Sequence, residues 1–125
     1  MNNEILDMRK HNFKESTVWQ KARQLVIDVY KITKFFPYDE KYALTSQVKR
    51  SVVSIPSNIA EVAGMGTKKD FAHFLNISYG SANELESQLI NTIDLKFINK
   101  EQLKEVYNLL MKVQKMIYTF QKTLR

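Results

Sequence analysis

The residues best able to do chemistry lie between positions 42 and 89. Gln47, Ser51, Ser54, Asn58 and Glu61 recur at spacings of 4, 3, 4 and 3, which places them in one stripe along a helix. Asn76, Tyr79, Asn83, Glu86 and Ile90 repeat the pattern at 3, 4, 3 and 4. Gly80 lies among them despite costing about 1 kcal/mol in a helix interior. Amides, hydroxyls and carboxylates in such rows can satisfy one another or a partner's backbone. A solvated bundle face usually carries Lys and Glu, yet four of the five residues in the first stripe are neutral. The expectation is a buried network or subunit interface built from Gln47, Ser51, Ser54, Asn58, Glu61, Asn76, Asn83 and Glu86. The two stripes would meet each other or an adjacent subunit; the plain alternative is a solvated polar face.

Catalytic chemistry has little material. His11 and His73 cannot form a pair one helical turn apart, and no Glu-x-x-His segment is available for a di-iron bundle site. Glu84 and Glu86 are two residues apart and point in different directions on a helix. No phosphate-loop, HExxH or nucleophile-elbow pattern occurs, and the segment Gly64-Met65-Gly66 is too short to cradle phosphate. The sequence therefore predicts a protein that is not an enzyme and uses no cofactor or metal.

Charge offers a second lead. The chain carries +6 overall, with residues 17–38 at +3, residues 99–125 at +4 and everything else summing to −1. Clustered cations attract polyanions. The candidate phosphate contacts are Lys21, Arg23, Lys31 and Lys34, then Lys49 and Arg50, then Lys104, Lys112, Lys115 and Lys122. Against this stands the simpler reading of solvated helix faces. Trp19 and Tyr30 sit beside an apolar seam and read as core or interface residues before they read as base-stacking ones.

Four helices must position these groups. With 125 residues, 44% of them hydrophobic, and only 3 Gly and 2 Pro, the chain suits one helical domain better than a turn-rich β fold. Helix 1 is expected over residues 17–36, capped by Ser16 or Thr17, with Val18, Ala22, Leu25, Val29, Ile32 and Phe36 as its seam and Pro37 as its stop. Helix 2 is expected to begin near Asp39, a plausible cap, and to end at Ala63 or Gly64. Pro56 inside it normally costs about 3 kcal/mol and predicts a kink. Helix 3 begins after Thr67, with Asp70 at the capping-box position, and helix 4 after Asn99, with Gln102 there. The seam of helix 2 is Leu44, Val48, Val52, Ile55, Ile59 and Val62; Phe71, Phe74, Leu75, Ser78, Ala82, Leu85 and Leu89 face inward from helix 3, and Leu103, Val106, Leu110, Val113, Ile117, Phe120 and Leu124 from helix 4. Short connections predict an all-α, up-down-up-down antiparallel four-helix bundle over residues 16–125. Residues 1–15 have no sustained seam and read as an extended or mobile arm. There is no cysteine, no apolar run long enough for a membrane span and no signal-peptide core. These features predict a soluble cytoplasmic protein that contacts no membrane.

The strings VWQKARQLV and FP (residues 18–37), LTSQVKRSVVSIPSNIAE, the F-x-x-FL pair and GSANELESQL together resemble one family. It is the four-helix-bundle family of proteins encoded in intervening sequences of bacterial 23S rRNA genes. That family is similar to the accessory variability determinant of diversity-generating retroelements, a five-bundle barrel that binds nucleic acid and partners a reverse transcriptase. The resemblance implies a homo-oligomer, a pentamer in the first instance, with RNA or DNA as ligand and a reverse transcriptase or other protein as partner. The chain departs from the family after Ala60-Glu61. Val62, Ala63, Gly64 and Met65 stand where the family commonly has Gly, an aromatic, Gly and Arg, so a basic residue is lost there. Two functions from different classes remain. One is an oligomeric accessory protein that binds nucleic acid non-specifically through basic surfaces; the other is a protein-interaction scaffold whose charge serves solubility.

Overall fold

The computed structural model describes residues 12–124 and contains four α-helices: α1 (Thr17–Thr33), α2 (Leu44–Val62), α3 (Lys68–Asp94) and α4 (Lys100–Lys122). No strand occurs among the described residues. Consecutive helices pack together and α4 returns against α1, so the order is a closed ring of four. Paired residues run in opposite directions along neighbouring helices. Ser51 meets Glu84, Ser54 meets Ser81 and Ile55 meets Ser78 between α2 and α3. Glu86 meets Tyr107 and Asn76 meets Gln121 between α3 and α4.

The seams read from sequence close into one core. Val18, Ala22, Leu25, Val29, Ile32 and Phe36 are buried from the first segment, and Leu103, Val106, Leu110, Val113, Ile117 and Phe120 from the last. Each such aliphatic side chain contributes roughly 1.5–3 kcal/mol on full burial, so these stripes stabilise the bundle far more than helix propensity does.

Helix ends follow their caps. Ser16 caps α1, its hydroxyl accepting from the Trp19 N–H at 3.4 Å. Asn99 and Gln102 form a complete capping box on α4. At α3 the Thr67 hydroxyl accepts from the Asp70 N–H at 3.2 Å and donates to the Asp70 carboxylate at 3.0 Å. The shorter Asp thus bonds the cap's hydroxyl, where a longer Glu would reach back to its backbone.

α2 ends at Val62, one residue short of expectation, and two boundaries differ from the sequence expectation by more. α1 ends at Thr33 rather than 36, because its last residues tighten into three-residue bonds such as Phe35 N to Ile32 O at 3.1 Å. Phe36 is nonetheless buried and packs against Phe97, ring centroids 6.1 Å apart. α2 begins at Leu44, so Asp39 is not its cap. A 3-10 turn, Tyr38–Glu40, follows Pro37, and the Glu40 carboxylate accepts from the Leu44 N–H at 3.3 Å. α2 then runs without interruption through Pro56. Just beyond it, Ser57 and Asn58 side chains donate to the carbonyls of Val53 and Ser54 at 2.8 Å each.

Of the arm expected over residues 1–15, positions 1–11 lie outside the described residues. Phe13–Glu15 form a 3-10 turn, and Phe13 meets Trp19 edge-on at 5.1 Å.

Lys96, just past α3, has φ of 61°. Its N–H bonds Ile93 O, and the Phe97 N–H bonds Thr92 O, both at 2.9 Å. These are the two bonds of a Schellman ending, whose left-handed position favours glycine. Lys96→Gly is therefore expected to raise the unfolding free energy by about 1 kcal/mol. Urea denaturation with an unchanged slope would show it.

Candidate functional site

The ten candidate cations lie on helix surfaces, but on several faces. Arg23, Lys31, Lys34, Arg50, Lys104, Lys112, Lys115 and Lys122 are exposed, whereas Lys21 and Lys49 are half-buried. The contacts given to three of them are aromatic: Arg23 lies over Trp19 at 5.6 Å, Lys49 over Tyr30 at 4.9 Å and Lys122 over Tyr118 at 5.5 Å. Arg23 and Lys49 thus belong to the α1–α2 side. On α4, Lys115 and Lys122 each follow a glutamine that bonds α3, so both project outward along that edge. Lys104 stands eleven residues before Lys115 on the same strip. Lys112 projects further round, toward α1. Each of the first and last helices therefore presents its charge on more than one face.

The polar stripes are largely internal to the chain. From α2, the buried Ser51 hydroxyl donates to Glu84 Oε1 at 3.2 Å, and Ser54 shares a hydrogen bond with Ser81 at 2.8 Å. Asn58 donates to Ser54 Oγ at 3.0 Å. Ser78, fully buried, donates to Ile55 O at 2.9 Å. Gln47 and Glu61, at the two ends of the stripe, are exposed. The α3 stripe faces α4 instead: the Gln121 amide donates to Asn76 at 2.8 Å, and the Gln114 amide donates to Asn83 at 3.2 Å and to Glu86 at 2.9 Å. The two stripes therefore do not meet each other. They occupy opposite flanks of α3's buried face.

Ser81, Glu84, Gln88, Tyr107, Gln114 and Gln121 complete these seams and were not singled out from sequence. A signal existed for three of them, since Tyr107, Gln114 and Gln121 are seven residues apart and so share a helix edge. Gln88 donates to Glu84 Oε1 at 3.1 Å, while its own buried Oε1 has no partner within the described chain.

Glu86 is the electrostatic centre of the α3–α4 seam. The Tyr107 hydroxyl donates to it at 2.5 Å. This bond, followed by that from Gln114, holds the carboxyl below its ordinary range, outweighing a small opposing effect of burial. The same bond, with burial and the carboxylate's charge, pushes the Tyr107 hydroxyl above its ordinary range.

Among the described residues no group of His, Asp and Glu could hold a metal ion. No helix among these residues is long and apolar enough to cross a membrane. His73 is exposed, and its ring meets the neighbouring Phe74 ring edge-on at 5.0 Å. Open grooves among the described residues include two of about 530 Å³ each. One runs between α3 and α4 past Ile90, Ile93, Leu103 and Tyr107. The other runs between α1 and α2 past Trp19, Ile27, Val53 and Pro56.

The family described as 23S rRNA-intervening sequence protein matches residues 14–119. The chain belongs to that family. A solved structure with the same fold is a protein of unknown function from the S23 ribosomal protein family of Bacteroides thetaiotaomicron. It is 28% identical, with a TM-score of 0.78, over 85% of this chain and 99% of that one. No curated protein matches the chain.

For this intervening-sequence family member, the Glu86–Tyr107 bond carries a pH signature. Because the Glu86 pKa is lower in the folded state, its stabilisation is present above the unfolded carboxylate pKa and is lost as pH falls through the folded one. The raised Tyr107 pKa acts in the opposite sense, its stabilisation being lost as pH rises through the folded tyrosine value. Tyr107→Phe is therefore expected to destabilise the bundle near neutrality. The difference from the parent should shrink at both acid and alkaline extremes in a series of urea midpoints against pH.

Proposed function

We propose that the protein is a non-enzymatic, homo-oligomeric accessory factor of the cytoplasm that binds RNA or DNA without sequence preference. The observation carrying this reading is the outward strip of α4. Lys104, Lys115 and Lys122 share it, Tyr118 beside Lys122 is 43% exposed, and residues 106–124 contain no carboxylate. Ammonium groups in a row displace counterions from a phosphate backbone, and an exposed ring beside them offers a face to an unpaired base. Lysine ammonium groups meet phosphate as point charges and read no base edges themselves. Selectivity would then come from nucleic-acid shape or from a protein partner such as a reverse transcriptase. Assembly strengthens the field: a pentamer of +6 protomers would carry about +30.

Polarisation of a labelled RNA hairpin and a labelled single-stranded DNA, read across a salt series, tests the reading. Affinity should fall steeply with salt. Reversing Lys104, Lys115 and Lys122 to Glu should weaken binding to both probes and flatten the logarithmic salt slope by roughly 2–3. Absence of salt-sensitive binding, or an unchanged slope in the triple variant, would instead favour a scaffold that binds only protein.

A further inference from the structure

The face of α3 turned away from the core is unlike the rest of the surface. His73, Ile77, Gly80, Glu84, Ser87 and Asn91 recur at spacings of 4, 3, 4, 3 and 4 and are all exposed. From Asp70 to Leu95 there is no Lys or Arg, while Asp70, Glu84, Glu86 and Asp94 are acidic. With Glu84 as its one carboxylate and no cation along it, this stripe offers phosphate no counter-charge, so nucleic acid does not explain it. Ile77 is 39% exposed in the middle of it. One turn on, Gly80 sits in a helix interior, where glycine is the least stabilising residue other than proline. A Cβ added there would meet nothing within 4 Å. Packing within the chain therefore does not require this glycine, whereas close approach by another molecule would.

The bundle has a counterpart of opposite character. Across it from α3, the α1–α2 groove exposes Ile27 by 42% and Val53 by 40%, with Trp19 and Pro56 along its floor and Arg23 at its edge. Glu84, which an arginine could meet, is held in place from its own chain: Ser51 and Gln88 both donate to one of its oxygens. Pairing α3 with itself about a two-fold axis would leave the Glu84 carboxylate of each copy facing a stripe without a cation. Pairing α3 of one copy with the α1–α2 groove of the next matches ridge to groove and acid to base. Because α1 and α3 lie on opposite sides of the ring of helices, one copy can make both contacts at once.

We infer that the α3 face around Gly80 and Glu84 docks into the α1–α2 groove of a second copy of this chain, with Glu84 meeting the partner copy's guanidinium at Arg23. The contact is heterologous and closes into a ring when its rotation permits. It rests on the homo-oligomeric reading above, and it removes Arg23 from the cations free to meet phosphate.

Light scattering coupled to size exclusion, with circular dichroism to verify helix content, tests the contact. Gly80→Gln introduces a good helix former into space that is open within the chain, so it cannot unfold the bundle by an internal clash. It should reduce an assembled parent to the 14.7 kDa protomer with helicity undiminished. Glu84→Arg and Arg23→Glu should each do the same, and the two together should restore the assembled mass. An assembled parent with assembled single variants overturns the interface and leaves oligomerisation standing. Single variants that dissociate without rescue in the double overturn the Glu84–Arg23 pairing. A parent that is a monomer at every concentration overturns both this contact and the oligomeric reading.

Discussion

The hydrogen-bonded flanks of α3 constrain everything else in the bundle. Apolar seams alone leave an antiparallel helix pair free to slide by a turn, because one Leu or Val packs much as the next does. Here α3 is pinned on one side through Ser78, Ser81 and Glu84 to α2. On the other side Asn76, Asn83 and Glu86 bind it to α4. Shifting either neighbour by a turn would strand several buried or half-buried polar groups, each costing about 1–3 kcal/mol. Register is thus specified by polar groups and stability by apolar ones.

That division explains how the surface is partitioned. With both flanks of α3 committed to neighbouring helices, only a narrow outward stripe remains, and it is neutral to acidic. Beyond Lys68 and Lys69 in its first turn, α3 carries no cation; the candidate cations lie on α1, α2 and α4, and Arg23, Lys49 and Lys122 among them lie over aromatic rings. The protein therefore offers distinct surfaces: a cation-free α3 stripe with Gly80 and Glu84 near its centre, an apolar groove edged by Arg23, and a lysine strip on α4. Under the proposed accessory role, such separated faces would let the molecule hold a polyanion and a protein at the same time.

Much of the fold could be read in advance because helix periodicity is a local signal. The four apolar seams, the cap at Ser16 and the capping pairs at Thr67–Asp70 and Asn99–Gln102 all occupy the expected places. The region between α1 and α2 was harder to read. Phe36 continues the seam of α1 although the backbone has already tightened, since burial depends on where a side chain lands rather than on helical geometry. Glu40, four residues from the helix it caps, was overlooked in favour of Asp39 because a 3-10 turn after Pro37 is invisible to periodicity.

For the candidate site, the sequence determined which residues form rows: a stripe of four or five polar side chains on one helix is a matter of spacing alone. It also determined family membership, the paucity of catalytic groups and the excess of cations in the first and last helices. Only the tertiary structure decided what each row faces. Gln47 and Glu61 end in solvent, Ser51 and Ser54 bond α3, and Asn76 and Asn83 turn to α4. The physical reason is that one helix turn presents a flank to each neighbour. Spacing specifies the flank, but which helix lies there, and at what register, is set by the packing of all four.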